Sequence, residues 1–476
     1  MVNTLRRFAV IVALLSSTVP SSAQMRVASP LGSVGAMPMP LTPFTHFAAP
    51  ALSLSPLSMP ALTPSFVPSV APALSAALPV SLEQGRAYFD GAAAKPDAPA
   101  PANPARAPRG ETVSLNGVVL PARMFSDETV ISGQLIRAID AANTSIDIAI
   151  HGLALREVAA ALVRAKKRGV KIRVVMNQTH VFPEKQRDTR TAEVQLLMDQ
   201  GFEMKMLRGG DMFGVMHNKI AIFDNKILET GSYNWTHAAD TWHWENAMFL
   251  AEQARIKAYQ EYWNWMWSIS SKIPSKAPAL PTPIPEGEPH PSLPSAPEDA
   301  DRSVTFNGVS LPAQTFSPGR VTAHLERAID ASRISIDLAN FSFTSEVLRD
   351  ALLRAQERGV KVRIVFDAQQ YRYLSEMHWF AEHGFDVMLS AGKSGEKGVM
   401  HNKFAVFDGV LVEAGSFNWT RNGERNNYEN AMFLDAPDDA AAFASHFKRV
   451  RDQAWAPEPD DHHGPGAAPE DVNLGH

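Results

Sequence analysis

The stretch "HNKIAIFDNKILETGSYNWT", His217 to Thr236, returns as "HNKFAVFDGVLVEAGSFNWT", His401 to Thr420. Histidine, lysine, aspartate, glycine, serine and asparagine keep identical spacing in the two copies while the apolar positions drift. The copying reaches further: "VSLNGVVLPARMF" from Val113 is answered by "VTFNGVSLPAQTF" from Val304, and "LVRAKKRGVKIRVVMN" by "LLRAQERGVKVRIVFD". A whole folding unit has been duplicated. The period, near 190 residues, is far beyond the roughly 20–50 residues of solenoid repeats.

Within each copy, helical spacing (near 131–142, 155–168 and 192–200) alternates with the strand-like runs "SIDIAI" and "KIRVVM", and further β-branched runs follow. That alternation predicts an α/β layer architecture. Proline marks the boundaries, with 16 in residues 24–110 and 9 in 271–302, but only 2 in 111–270 and 2 in 303–435. Two globular blocks, 111–270 and 303–455, are therefore expected behind a disordered Pro/Ala/Ser-rich leader (24–110) and joined by a Pro-rich linker (271–302). Residues 456–476 read as a solvated acidic tail, in which His462 and His463 are only a compositional hint of metal binding. Arg6 and Arg7, the apolar run Phe8 to Leu15 and the small residues ending at Ala23 read as a signal peptide cleaved near Ala23, giving a secreted or periplasmic product. The chain has no cysteine, which excludes a disulfide framework, thiol chemistry and cysteine metal sites.

Residues two apart in a strand share a face, so His217 projects with Lys219, and His401 with Lys403, while Asn218, Ile220, Ile222 and Asp224 point the other way. A turn expected near Gly231 begins a second strand on which Ser232 and Asn234 share a face, as Ser416 and Asn418 do after Gly415. Imidazole attacks or exchanges protons near neutral pH, and lysine and asparagine donate to phosphate oxygens. The set suits phosphoryl chemistry, but one copy lacks a second acid–base group. Two facing copies supply it, one histidine attacking phosphorus and the other protonating the leaving oxygen and then activating water. A lone His-x-Lys carries no information; six polar positions repeated amid drifting neighbours do. Asp224 and Asp408, facing away by parity, read as structural.

H-x-K-x4-D-x6-G-S-x-N, intact in both copies, resembles the HKD motif of the phospholipase D superfamily, most closely its small bacterial endonuclease and cardiolipin-hydrolase branch, whose members carry one motif and dimerise. The resemblance covers about 111–268 and 303–455 and implies a mixed sheet between helices in each repeat, packed as a pseudo-twofold dimer with one shared active site. It implies His217, His401, Lys219, Lys403, Glu245 and Glu429 as catalytic residues, with Lys219, Lys403, Asn234, Asn418, Ser232 and Ser416 on the substrate phosphate. Gly231 and Gly415 complete the motif. Each glutamate stands 28 residues after its histidine within "ENAMFL"; in the family such a glutamate accepts the ring N–H of the catalytic histidine. No metal or other cofactor is implied, nor an obligate protein partner, so a monomer with an internal pseudo-dimer is expected.

The second copy keeps "FSFTS" (Phe341 to Ser345) where the first has "HGLAL" (His151 to Leu155), which predicts unequal pocket walls, with His151 read as a core or rim histidine. In "YWNWMW", Tyr259 and Trp267 align with Phe447 and Trp455, leaving Trp263 and Trp265 to carry any transient contact with a membrane surface. Phospholipid and nucleic acid both contain the phosphodiester that this chemistry needs. Residues 111–270 hold 18 basic and 18 acidic side chains and 303–455 hold 17 and 19, for net charges of 0 and −2. Nucleic-acid surfaces are far more basic, so phospholipid is the preferred substrate class.

Overall fold

Strands and helices alternate in the computed structural model, which describes residues 111–183, 190–279, 281, 293–299 and 302–458, all within one compact body. The signal peptide, the leader and nearly all of the tail expected from the sequence lie outside the described residues, as does much of the linker. In the first repeat, strands Ser271–Lys272, Glu203–Leu207, Lys171–Asn177, Ser145–Ile150, Lys219–Phe223, Ile227–Gly231, Asn246–Leu250 and Arg123–Phe125 lie side by side in that order. The second repeat runs Gly395–Val399, Asp386–Gly392, Lys361–Asp367, Ser335–Asn340, Lys403–Phe407, Leu411–Gly415, Glu429–Leu434 and Gln314–Ser317. Three neighbouring strands of each sheet are parallel and the motif strands antiparallel, so each sheet is mixed as expected.

Alternation along each strand divides the apolar residues between two cores. Ile146, Ile148 and Ile150 join Leu135 and Ile139 of helix Ile131–Ala141 and Val158 and Leu162 of helix Arg156–Lys167. Glu157 in the first turn of the latter helix and Arg164, Lys166 and Lys167 in its last complement the helix dipole. The opposite face sends Ile220, Ile222 and Met248 inward, where they meet Phe316, Phe404 and Met432 of the second repeat. Helices Gln253–Ile269 and Pro437–Asp452 contribute Tyr259, Tyr262, Trp263, Phe443 and Phe447 to this same shared core. Burying each such side chain is worth roughly 1.5–3 kcal/mol, so the halves are joined by a hydrophobic core as well as by the linker.

Two expectations are corrected. The hairpin turn lies at Asp224–Lys226, not near Gly231: strand Lys219–Phe223 pairs with Ile227–Gly231, and Asp224 and Asn225 both adopt φ 51°. Asp and Asn tolerate this left-handed conformation better than most side chains. The aromatic stripe is also displaced by one helical turn. Tyr259 meets Phe316 edge-on at 5.1 Å as Phe443 meets Phe125 at 5.2 Å, and Arg173 lies 4.4 Å over Trp263 as Arg363 lies 5.6 Å over Phe447. Trp263 therefore has an aromatic counterpart and is fully buried, which removes it from any lipid-contacting surface. Trp265 stacks on Tyr262 at 5.8 Å.

Candidate active site

The motif hairpin places its histidine, lysine and serine at its open end. Gly231 and Gly415 permit a close approach: a Cβ there would stand 2.3 Å from the carbonyl oxygens of Asn246 and Asn430 respectively. Ser232 N donates to Asn246 O at 3.0 Å and Ser416 N to Asn430 O at 3.0 Å, carrying the chain past the strand end toward the glutamates. At the turn end, Asp224 accepts backbone N–H groups of Asn143, Thr144 and Ser145 at 2.8–2.9 Å. Asp408 does the same for Arg333, Ile334 and Ser335 at 2.7–3.1 Å. These carboxylates tie the hairpin to the start of the central strand.

The site is wired across the repeats. Tyr428 N donates to Val215 O at 3.0 Å and His217 N to Tyr428 O at 3.0 Å; Trp244 N donates to Val399 O at 3.0 Å and His401 N to Trp244 O at 3.1 Å. Each segment entering a motif histidine is thereby laid beside the segment entering the other repeat's glutamate. His217 Nδ1 lies 2.9 Å from Glu429 Oε2, and His401 Nδ1 lies 2.8 Å from Glu245 Oε1. The glutamate that holds each histidine thus belongs to the opposite copy. With Nδ1 engaged by a carboxylate, each imidazole presents Nε2 to a substrate. The two rings stand 6.4 Å apart, centroid to centroid, at 79°.

Ser232 Oγ donates to Glu245 Oε2 at 2.5 Å and Ser416 Oγ to Glu429 Oε2 at 2.6 Å, and both hydroxyls also accept a backbone N–H at 3.0 Å. These hydroxyls, expected on the substrate phosphate, are hydrogen-bonded to the carboxylates that hold the histidines. Lys219 and Lys403 are fully buried, each Nζ donating to the carbonyl oxygen of its own motif histidine at 2.6 Å. Among the described residues, both side-chain atoms of Asn418 and Oδ1 of Asn234 are buried without a hydrogen-bond partner. Buried amides are rarely left so.

Burial dominates the electrostatics. It drives the His217 imidazole well below its ordinary value, reinforced by Lys219 and His151, and drives His401 down in the same way. Burial thus favours at both rings the neutral form, the one that can attack. Burial likewise lowers Lys219, and Lys403 to about 7. The glutamates differ. Burial lifts Glu429 to about 7, whereas at Glu245 the effect of burial is outweighed by His401 and His243, which hold it below its ordinary value.

His151, read from the sequence as a core or rim residue, packs its ring edge-on against His217 at 5.0 Å, and Phe341 occupies the equivalent place against His401, also at 5.0 Å. The unequal pocket walls lie directly beside the reacting rings. His243 was not singled out by sequence reasoning. Its Nδ1 is 3.7 Å from Glu245 Oε1, and its counterpart Asn427 donates to Glu429 Oε1 at 3.1 Å. The only signal was its place two residues before the glutamate. Asn218, Asn402, Asn246 and Asn430 were also passed over: Asn430 Nδ2 donates to Asn218 Oδ1 at 2.8 Å and Asn246 Nδ2 to Asn402 Oδ1 at 2.9 Å, locking the repeats together. Their exact duplication in "HNK" and "EN" was the legible clue.

Comparison with known proteins agrees with this architecture. The family model described as "Cardiolipin synthase, PLD-like domain" matches the chain twice, over residues 135–267 and 325–451. Human mitochondrial cardiolipin hydrolase is 34% identical over 133 residues, 28% of this chain and 51% of that protein. A phospholipase D of Rickettsia felis is 31% identical over 126 residues, 26% of this chain and 58% of that protein. The chain matches 51% and 58% of the length of these two curated relatives. Among solved structures, phosphatidylserine synthase of Haemophilus influenzae Rd KW20 superimposes with a TM-score of 0.50 at 13% identity, covering 70% of this chain and 87% of that one, a likeness of fold.

Proposed function

The chain belongs to the phospholipase D-like family whose model matches more than half of it, and from that premise we propose that it is an exported phosphodiesterase that hydrolyses a phospholipid to phosphatidate and an alcohol. The observation that carries this reading is the pair of imidazoles 6.4 Å apart, each bound through Nδ1 to a glutamate of the other repeat. One Nε2 attacks phosphorus to give a phosphohistidine, while the other imidazole, which takes up a proton when the anionic phosphodiester comes to lie beside it, donates that proton to the departing alcohol oxygen. That second imidazole then takes a proton from water as the water displaces the phosphoryl group, restoring the first. Lys219, Lys403, Asn234 and Asn418 stabilise the charge on the non-bridging oxygens.

Phospholipid is preferred because the two repeats carry net charges of 0 and −2, whereas a grip on nucleic acid draws most of its non-specific affinity from phosphate neutralisation. The names of the two curated relatives point the same way. Export rests on the residues from Arg6 to Ala23. Among the described residues, no helix is long and apolar enough to cross a membrane. Endonuclease activity through the same two histidines is the second reading, since the motif variant resembles that of small nucleases.

Purified protein assayed with chelator on phosphatidylcholine, cardiolipin and single-stranded DNA separates the two. Lipid turnover is expected; DNA cleavage without lipid turnover would reverse the order. His217→Ala and His401→Ala are each expected to abolish turnover, and near-full activity in either would refute the composite site.

A further inference from the structure

We propose that His243, Glu245 and His401 bind a divalent transition-metal ion of the zinc class, and that the bound ion switches the catalytic centre off. One ligand atom from each of the three residues lies within 4.8 Å of the others. Glu245 Oε1 is the shared point, 2.8 Å from His401 Nδ1 and 3.7 Å from His243 Nδ1. Two imidazoles and a carboxylate form a donor set that zinc uses when a fourth position is left to water. With zinc–ligand bonds of about 2.0–2.2 Å, neighbouring donors in a tetrahedron stand roughly 3.3–3.5 Å apart, so the site closes when His243 Nδ1 draws in from 3.7 Å and His401 Nδ1 moves out from 2.8 Å of Glu245 Oε1. The His243 side chain is 14% exposed, more than His401 at 9% or Glu245 at 0%, which opens a path from solvent.

The other half of the molecule supplies an internal contrast. Asn427 replaces His243 there, and its Nδ2 donates to Glu429 at 3.1 Å. An amide nitrogen has no lone pair to offer a metal, whereas imidazole suits zinc, copper and nickel, so one ion per chain is expected.

Inhibition follows from the atom that the ion occupies. The metal needs the Nδ1 lone pair of His401, so the proton that Nδ1 otherwise shares with Glu245 moves to Nε2, and the carboxylate turns to the ion. Nε2, now carrying hydrogen on a neutral ring, can neither attack phosphorus nor accept a proton, and its N–H is a far weaker acid than the imidazolium needed to protonate the departing oxygen, so either role of His401 is blocked. This inhibitory half rests on the phosphodiesterase reading; the binding half does not.

The test titrates the full chain, stripped with EDTA and dialysed, with Co2+ followed by visible absorption and with Zn2+ followed by calorimetry. The parent is expected to take one Zn2+ that displaces Co2+, with affinity reduced at least tenfold in His243→Asn, a variant that copies the other half and keeps His462 and His463 as background. Asn427→His, which builds the missing donor, is expected to raise the stoichiometry to two. Equal Zn2+ binding by parent and His243→Asn, or a stoichiometry unchanged in Asn427→His, would overturn the site. Turnover should fall in step with occupancy and recover with EDTA; full activity at saturation would overturn the switch. A parent that binds Zn2+ but hydrolyses neither lipid nor DNA would sink the proposed function and leave the metal site standing.

Discussion

Each motif imidazole is bonded to a carboxylate from the other copy, and each carboxylate is fixed by a serine of its own copy. Carboxylates that orient a reacting histidine typically contribute about 10–100-fold when the histidine is a metal ligand, and a similar factor is expected here. Glu245→Gln and Glu429→Gln should each lower kcat by about that much with the fold retained, and Ser232→Ala and Ser416→Ala should lower it less. The crossing itself is read by thermal-melt double-mutant cycles, in which His217 should couple to Glu429 and be additive with Glu245; the reverse pattern would refute it. The identities of His217, Lys219, Glu245 and their counterparts were legible because they repeat. Their partners were not, because spacing along a chain does not say which of two identical copies a side chain will meet. His243 escaped for the opposite reason: it differs between copies, so a search for repetition passes over it.

The motif hairpin was legible as an element, and its turn was misplaced because Gly231 was read as a turn residue. Its role is the close approach to Asn246, while the left-handed φ values fall on Asp224 and Asn225 in one copy and on Asp408 and Gly409 in the other. The aromatic stripe slipped by four residues because one helical turn maps aromatic onto aromatic, and the registers are distinguished by contacts distant in sequence, with Phe316 and Phe125 and with Arg173 and Arg363. Asp224→Ala, which removes three charge-assisted backbone hydrogen bonds at the turn, should destabilise the protein by about 2–3 kcal/mol in urea melts. The strand Leu411–Gly415 carries a second buried acid, Glu413, whose Oε2 accepts from Trp419 Nε1 at 3.3 Å and whose carboxyl is pushed by burial from 4.5 to about 8. Because the folded value is raised, its contribution to stability is fully present below 4.5 and is lost as the pH climbs to about 8. Glu413→Gln should therefore flatten the decline of stability over that window by up to about 1.4 kcal/mol per pH unit. An unchanged slope would mean that Glu413 is ionised in the folded protein.

For the molecule as a whole, the Pro-rich boundaries marked two blocks and the resemblance implied that they pack as a pseudo-dimer, and the described residues do form one body around a shared core. Composition cannot reveal this, since the strand faces that build the shared core are as apolar as those that pack under each repeat's own helices: Ile220 and Ile222 differ from Ala221 and Phe223 only in the side to which they point. Burying Met216, Tyr262, Trp263, Phe404, Met432 and Phe443 between the halves, at roughly 1.5–3 kcal/mol for each large side chain, makes either half alone an exposed hydrophobic surface. The crossed pairs make it a catalytic fragment too, because His217 lacks Glu429 and His401 lacks Glu245. Fragments spanning 111–279 and 293–458 should each be inactive as monomers, and should regain turnover when co-expressed, eluting as a 1:1 complex. A single half should hydrolyse substrate only after pairing with a second copy of itself, which can supply the glutamate at the same crossed position. Sedimentation velocity run alongside the assay decides the matter: an active monomeric half would show that one copy is already a complete site.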